Sequence, residues 1–219
     1  FPAGIHGNLP SDEVDVFRKE KIKEENCEMD YLFWIVLGYI SGSVLYAYWL
    51  PKLVRGVDVC ALSEDENPGT FNVFEHCGAW FGSLVLLLEL GKAFCPVHLA
   101  MQVLDSDRWP FAFVVAAPVV GHAFPLWRRL RGGKAIAAAF GAALGLYPLM
   151  VPALFLAACY LIFSLVVMIP SHALRSIIAF AVWSLACGVE LGACAVTGGC
   201  LLISLVVVER HVHSLQVCH

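Results

Sequence analysis

The chain predicts an all-α, polytopic membrane protein with about seven transmembrane helices in one bundle. Charged residues make up only 15% of its 219 positions and hydrophobic residues 59%, whereas soluble domains carry about 25% charged residues. No Asp, Glu, Lys or Arg occurs from Ala135 to Leu174, or from Leu191 to Val208. A bilayer crossing takes roughly 20 apolar residues, so the first run accommodates two crossings, hinged near Pro148 and Pro152. Three regions follow: a polar or amphipathic N-terminal segment (1–30), a transmembrane domain (31–208) and a C-terminal polar tail (209–219). The net charge of −4 says little, because acids cluster in residues 12–30 and 58–75 while the densest bases lie in 128–134. The nine cysteines are an odd number with no Cys-x-x-Cys pair, a pattern of small membrane hydrophobes. No metal, cofactor or nucleic-acid partner is expected.

From Asp12 to Glu28 the charges alternate in sign, with Val14, Phe17, Ile22 and Cys27 loosely on one helical face, as in a surface amphipathic helix or a tether. Tyr31–Leu50 reads as the first span, closed by Pro51, and its Gly38, Ser41, Gly42, Ser43 and Ala47 form a small-residue face for close helix contact. A long loop follows. At its centre stands Asn67-Pro68-Gly69-Thr70-Phe71-Asn72, where Pro-Gly specifies a turn and two Asn side chains offer donors and acceptors.

The second span, Ala79 to about Leu104, carries Glu89 and Lys92. Three apart on a helix, they share a face and can pair. Ionisable groups inside a membrane are costly and functional by default, but a neutralised structural pair is the other reading. Trp109–Trp127 is the third span, with His122 near its basic end. A short fourth span, Ala135–Tyr147, and a fifth, Leu149–Ile169, come next. A polar turn at 170–176 leads to the sixth, Ile177–Val189, and Leu191–Val208 is the seventh. The fourth and sixth are short enough that either can be re-entrant. The tail histidines His211, His213 and His219 fit no standard metal spacing and read as solvated.

Four of the fourteen Lys and Arg residues fall within Arg128-Arg129-Leu130-Arg131-Gly132-Gly133-Lys134. Cations crowded between apolar spans invite an anion, and the glycines allow backbone N–H groups to approach one. Lys134 adds a point charge at a helix start. A basic loop is also how a membrane protein marks its cytoplasmic side. Helix parity places this loop, residues 52–78, the 170–176 turn and the tail on one side. Lys and Arg at 18, 19, 21 and 23 go against that assignment, although acids are interleaved with them.

In this order, the pieces resemble the PlsY family of bacterial membrane glycerol-3-phosphate acyltransferases over roughly residues 35–180. The likeness rests on Gly38-Tyr39-Ile40-Ser41-Gly42-Ser43, Gly56-Val57-Asp58, Asn67 to Val73, Glu89-Leu90-Gly91-Lys92 with Pro96-Val97, Gly121-His122-Ala123-Phe124-Pro125, and Gly132-Gly133-Lys134. The resemblance implies transfer of a fatty acyl group from acyl phosphate to the 1-hydroxyl of glycerol 3-phosphate, giving lysophosphatidic acid and phosphate for phospholipid synthesis. It also implies an inner-membrane location with the active site on the cytoplasmic side, and membrane lipid as the surroundings.

The implied catalytic set is Ser43, Lys92, His122, Ser176 and His211. The implied phosphate-binding set is Asn67, Gly69, Asn72, Arg131, Gly132, Gly133 and Lys134. Glu64-Asp65-Glu66 stands where the family has Gly-Ser-Gly, and three carboxylates there repel a dianion. The family's upstream Arg is absent from Cys60-Ala61-Leu62, Phe71 replaces a Thr, and Ala135 replaces the Gly after the Lys. The alternative is a non-catalytic, transport or lipid-binding protein on the same fold.

Overall fold

The computed structural model describes residues 28–63 and 66–217, and among these every regular element is a helix. The amphipathic segment expected at 12–27, Glu64 and Asp65 of the acidic run, and His219 lie outside the described residues. The helices are α1 (28–43), α2 (Tyr46–Arg55), α3 (Val59–Leu62), α4 (Thr70–Cys77), α5 (Ala79–Val103), α6 (Phe111–Ala123), α7 (Ile136–Gly145), α8 (Val151–Leu161), α9 (His172–Leu191) and α10 (Ala195–Val217). Short turns extend α6 (Leu126–Arg128) and α8 (Ile162–Val166). Five segments are long and apolar enough to cross a bilayer, with α1 and α2 together counting as one, and two shorter apolar helices complete the set.

The first span is not one helix. It breaks at Val44 and Leu45, and α2 runs through Pro51 to Arg55, ending at Gly56 with φ 68°. The break has a local and a distant cause. The Ser43 hydroxyl donates to the Tyr39 carbonyl at 2.8 Å, a back-bond that bends helices. The backbone groups released at the break find buried partners on α5. Glu89 Oε1 accepts from the Ala47 N–H at 2.9 Å, and Lys92 Nζ donates to the Val44 carbonyl at 2.6 Å. An unsatisfied backbone group in the membrane interior costs several kcal/mol, so these two side chains make the unwound stretch tenable.

The other elements differ less. Of the two spans read as short, α9 is full length, because Ser171 caps it by accepting from the Leu174 N–H at 3.3 Å. The fourth remains short. Ten residues of α7 rise about 15 Å, half the bilayer core. The expected polar tail continues α10 as far as Val217. Arg210 Nη2 donates to the Gly132 carbonyl at 2.9 Å, and His211 is only 2% exposed.

Small residues set the packing. A Cβ at Gly42 would overlap the Pro118 carbonyl of α6, and one at Gly141 the Leu90 carbonyl of α5. Ala138, Ala139, Ala142 and Ala143 of α7 are buried. In lipid, helices gain little from burying apolar surface against one another, so such close contact carries the association. α10 lies against both α6 and α9, and α8 against α9. Trp183 of α9 is fully buried and donates to the Pro152 carbonyl at 2.7 Å. Leu87, Leu185 and Val189 are exposed, as lipid-facing side chains are.

Candidate active site

The loop entering α4 is held by its own polar groups. The Asn67 carbonyl accepts from the Gly69 N–H and from Asn72 Nδ2, both at 2.8 Å. Gly69 is the N-cap of α4, and no side chain caps that end. The first amides of a helix have no intrahelical acceptor, and together with the helix dipole they favour an anion. Upstream, the Lys52 amine 2.9 Å away holds the Asp58 carboxyl below its ordinary range.

This loop forms one wall of a cavity of about 1080 Å³. Its polar lining comes from Asn67, Gly69, Thr70, Asn72 and Glu75 around α4, His122 at the end of α6, Lys134 before α7, His172, Arg175 and Ser176 on α9, and His211 on α10. Leu86 and Leu90 of α5, Phe140 and Leu144 of α7, and Tyr160 of α8 supply an apolar lining. Phe140 and Leu144 lie one and two turns along α7 from its Lys134 end. The space is therefore amphiphilic and large enough for a small-molecule ligand.

Of the residues expected in the site, the cavity brings together Asn67, Gly69, Asn72, His122, Lys134, Ser176 and His211. Ser176 is fixed on both sides, since its hydroxyl donates to the His172 carbonyl at 3.0 Å and accepts from the Tyr160 hydroxyl at 3.1 Å. His211 Nδ1 donates to the Val207 carbonyl at 2.7 Å, which makes Nε2 the acceptor nitrogen of the neutral ring.

Five expected residues are not among the lining. Ser43 is fully buried, bonded to Tyr39 and packed against Gly121. Lys92 sits 2.5 Å from Glu89 Oε2, 2.6 Å from the Val44 carbonyl and 2.9 Å from His122 Nδ1. Glu89 and Lys92 thus form a buried ion pair. His122 Nδ1 also lies 3.1 Å from Glu89 Oε2. Arg131 is exposed.

The remaining two, Gly132 and Gly133, have backbone partners for the amides expected to cradle an anion. The Gly132 N–H donates to the Ala123 carbonyl and the Gly133 N–H to that of His122, both at 3.2 Å. A Cβ at either glycine would collide with the end of α6. These glycines let the loop lie against α6 and carry Lys134 to the cavity. The Arg128 guanidinium lies 4.0 Å from the centre of the Tyr48 ring and ties the loop to α2.

Thr70, His172, Arg175 and Tyr160 line the cavity without having been singled out by sequence. The signal for two of them was Ser171. Read as an N-cap, it starts α9 at His172 and puts His172, Arg175 and Ser176 on one face by the three- and four-residue spacing.

Ala135 follows Lys134 with φ 62° and is 2% exposed. A left-handed alanine costs about 1–2 kcal/mol, and the added freedom of glycine in the unfolded chain returns about 0.4–1 kcal/mol. Ala135→Gly is therefore expected to stabilise by up to about 1.6 kcal/mol, read as a higher thermal midpoint in detergent. A lower midpoint would refute the left-handed backbone at this position.

Comparison with known proteins gives a consistent result. The family model described as glycerol-3-phosphate acyltransferase matches residues 32–218. A glycerol-3-phosphate acyltransferase of Myxococcus xanthus is 39% identical over 114 residues, which is 52% of this chain and 59% of that protein. One from Maridesulfovibrio salexigens is 35% identical over 121 residues, 55% of this chain and 60% of the relative. The chain thus spans about 59–60% of the length of these curated relatives. The crystal structure of PlsY, an integral membrane glycerol 3-phosphate acyltransferase, in its glycerol 3-phosphate form superimposes with a TM-score of 0.74 at 29% identity, covering 85% of this chain and 90% of that one. Its lysophosphatidic acid form gives 0.73 at the same identity and coverage.

Proposed function

The chain belongs to the glycerol-3-phosphate acyltransferase family, and from that membership we propose that it moves a fatty acyl group from acyl phosphate to the 1-hydroxyl of glycerol 3-phosphate. One observation carries this reading: an uncapped helix start and Lys134 share a single cavity that continues into an apolar lining. Both reactants are phosphorylated and one is a lipid. The solved relative's glycerol 3-phosphate and lysophosphatidic acid forms support the same substrate and product.

In this reading the acceptor phosphate rests at the start of α4, on its amides with Asn67, Thr70 and Asn72. The acyl chain lies along Leu86, Leu90, Phe140 and Leu144. The acceptor hydroxyl attacks the acyl carbonyl, a C–O bond forms, and the bond from the acyl carbon to the phosphate oxygen breaks. Phosphate leaves with the electron pair, steadied by Lys134. The hydroxyl proton passes to His211 Nε2, the acceptor nitrogen of a ring fixed by Val207. Phosphate is already a good leaving group, so no acyl-enzyme is needed. Ser176 hydrogen-bonds substrate, and His122 supports the developing negative charge.

The protein is a multi-pass membrane protein, and we place the cavity on the cytoplasmic side of the inner membrane. Helix parity puts the helix ends and loops that carry Lys52, Arg55, Arg128, Arg129, Arg131, Lys134 and Arg175 on one side, which supports this reading. The test uses purified protein in lipid nanodiscs with acyl phosphate and glycerol 3-phosphate. Equal amounts of lysophosphatidic acid and phosphate are expected. Phosphate release that does not need the acceptor would make the protein a hydrolase, and no release would favour a non-catalytic or lipid-binding role.

A further inference from the structure

We propose that Arg175 of α9 supplies the guanidinium that grips the acceptor's phosphate, so that the acceptor site is built from α4 and α9 together. This rests on the acyl-transfer reading above. It begins from a shortage of positive charge. The stretch leading into α4 carries Glu64, Asp65 and Glu66, and Glu75 follows within α4. The cations that precede this loop are already engaged. Lys52 Nζ pairs with Asp58 at 2.9 Å. Arg55 Nη1 donates to the Cys77 carbonyl at 2.8 Å, and its guanidinium lies 4.7 Å from the Phe81 ring centre. A phosphate at the start of α4 therefore needs a cation from another element.

α9 is that element. The Phe71 ring in the first turn of α4 lies 6.0 Å from the His172 ring in the first turn of α9, which brings the two helix starts together on one side of the cavity. Arg175 lies one turn along α9, lines the cavity, and is oriented by a contact between its Nη2 and His172 Nδ1. A guanidinium keeps further donors in a planar fork that matches two phosphate oxygens. Among the described lining residues, Lys134 and Arg175 are the Lys and Arg side chains, and Glu75 is the carboxylate. Without Arg175 their formal charges cancel, in a site that must hold two phosphates. Lys134 stands before α7 and serves the departing phosphate, which leaves Arg175 for the acceptor.

The test measures both KM values and kcat for the wild type, Arg175→Gln and Arg175→Lys in nanodiscs, each substrate varied with the other saturating. Arg175→Gln is expected to raise KM for glycerol 3-phosphate about tenfold or more, since charge-assisted bonds are the strong ones. KM for acyl phosphate and kcat should change no more than about threefold. Arg175→Lys, which keeps the charge but loses the fork, should fall between. An unchanged acceptor KM in an active variant overturns the proposal, and so does a rise confined to the acyl phosphate KM. Should the Gln variant not fold, the Lys variant decides alone, because an unchanged acceptor KM there also refutes the role. If the wild type releases no phosphate, the acyl-transfer reading itself fails, a result distinct from an active enzyme indifferent to residue 175.

Discussion

Lys134→Ala is expected to lower kcat/KM for phosphate release at least about 100-fold while leaving the thermal midpoint nearly unchanged. The side chain is half-buried at the cavity wall, at the end of a loop bonded to its neighbours. Gly132 and Gly133 are bonded to the last carbonyls of α6, and Arg210 holds the Gly132 carbonyl from α10. In the proposed reaction, Lys134 then faces the place where charge accumulates as the phosphate departs. A charged donor aimed at developing charge away from bulk water contributes roughly 2.7–4 kcal/mol to a barrier, which sets the expected loss. Lys134→Arg should recover part of the rate, because charge returns with a different reach. A rate unchanged in Lys134→Ala would remove this residue from the site even if the activity is real.

Glu89→Leu carries the largest expected loss of stability, about 3–5 kcal/mol. The Lys92 side chain is 1% exposed and Glu89 fully buried. Removing the carboxylate leaves an ammonium without its counter-charge, and the Ala47 N–H without its acceptor at the break between α1 and α2. The double variant Glu89→Leu with Lys92→Leu should be less destabilised than Glu89→Leu alone, since it no longer buries an unpaired charge. Thermal midpoints in one detergent measure this. If the double variant is the less stable of the two, the pair is not what holds the break.

Much of the fold was legible because lipid leaves a plain signature. The second span, expected from Ala79 to about Leu104, is observed as Ala79–Val103, since its ends are set by glycine and a polar turn beside it in sequence. The break at Val44 could not be read this way. It depends on Glu89 and Lys92, more than forty residues later, supplying partners that a local window does not contain. α10 misled for a similar reason. Charge begins at Glu209 and suggests solvent, yet Arg210 reaches Gly132 across the bundle and His211 is buried.

The site divides along the same line. Residues whose spacing in sequence shapes their own loop, Asn67, Gly69 and Asn72, sit on the cavity wall. Gly132 and Gly133 were legible as a close approach, but the partner is protein backbone, because the end of α6 offers carbonyls to both amides. Lys92 was legible as a buried charge, while its engagement by α1 and α6 was not. Arg175 was hidden by reading the first turn of α9 as a loop.

The central claim is that both phosphorylated reactants occupy one cavity at the same time and exchange the acyl group directly. Initial rates with both substrates varied test it most directly. The account predicts intersecting lines in a double-reciprocal plot, the pattern of a ternary complex. Parallel lines, the signature of a ping-pong reaction through an acylated protein, would contradict it.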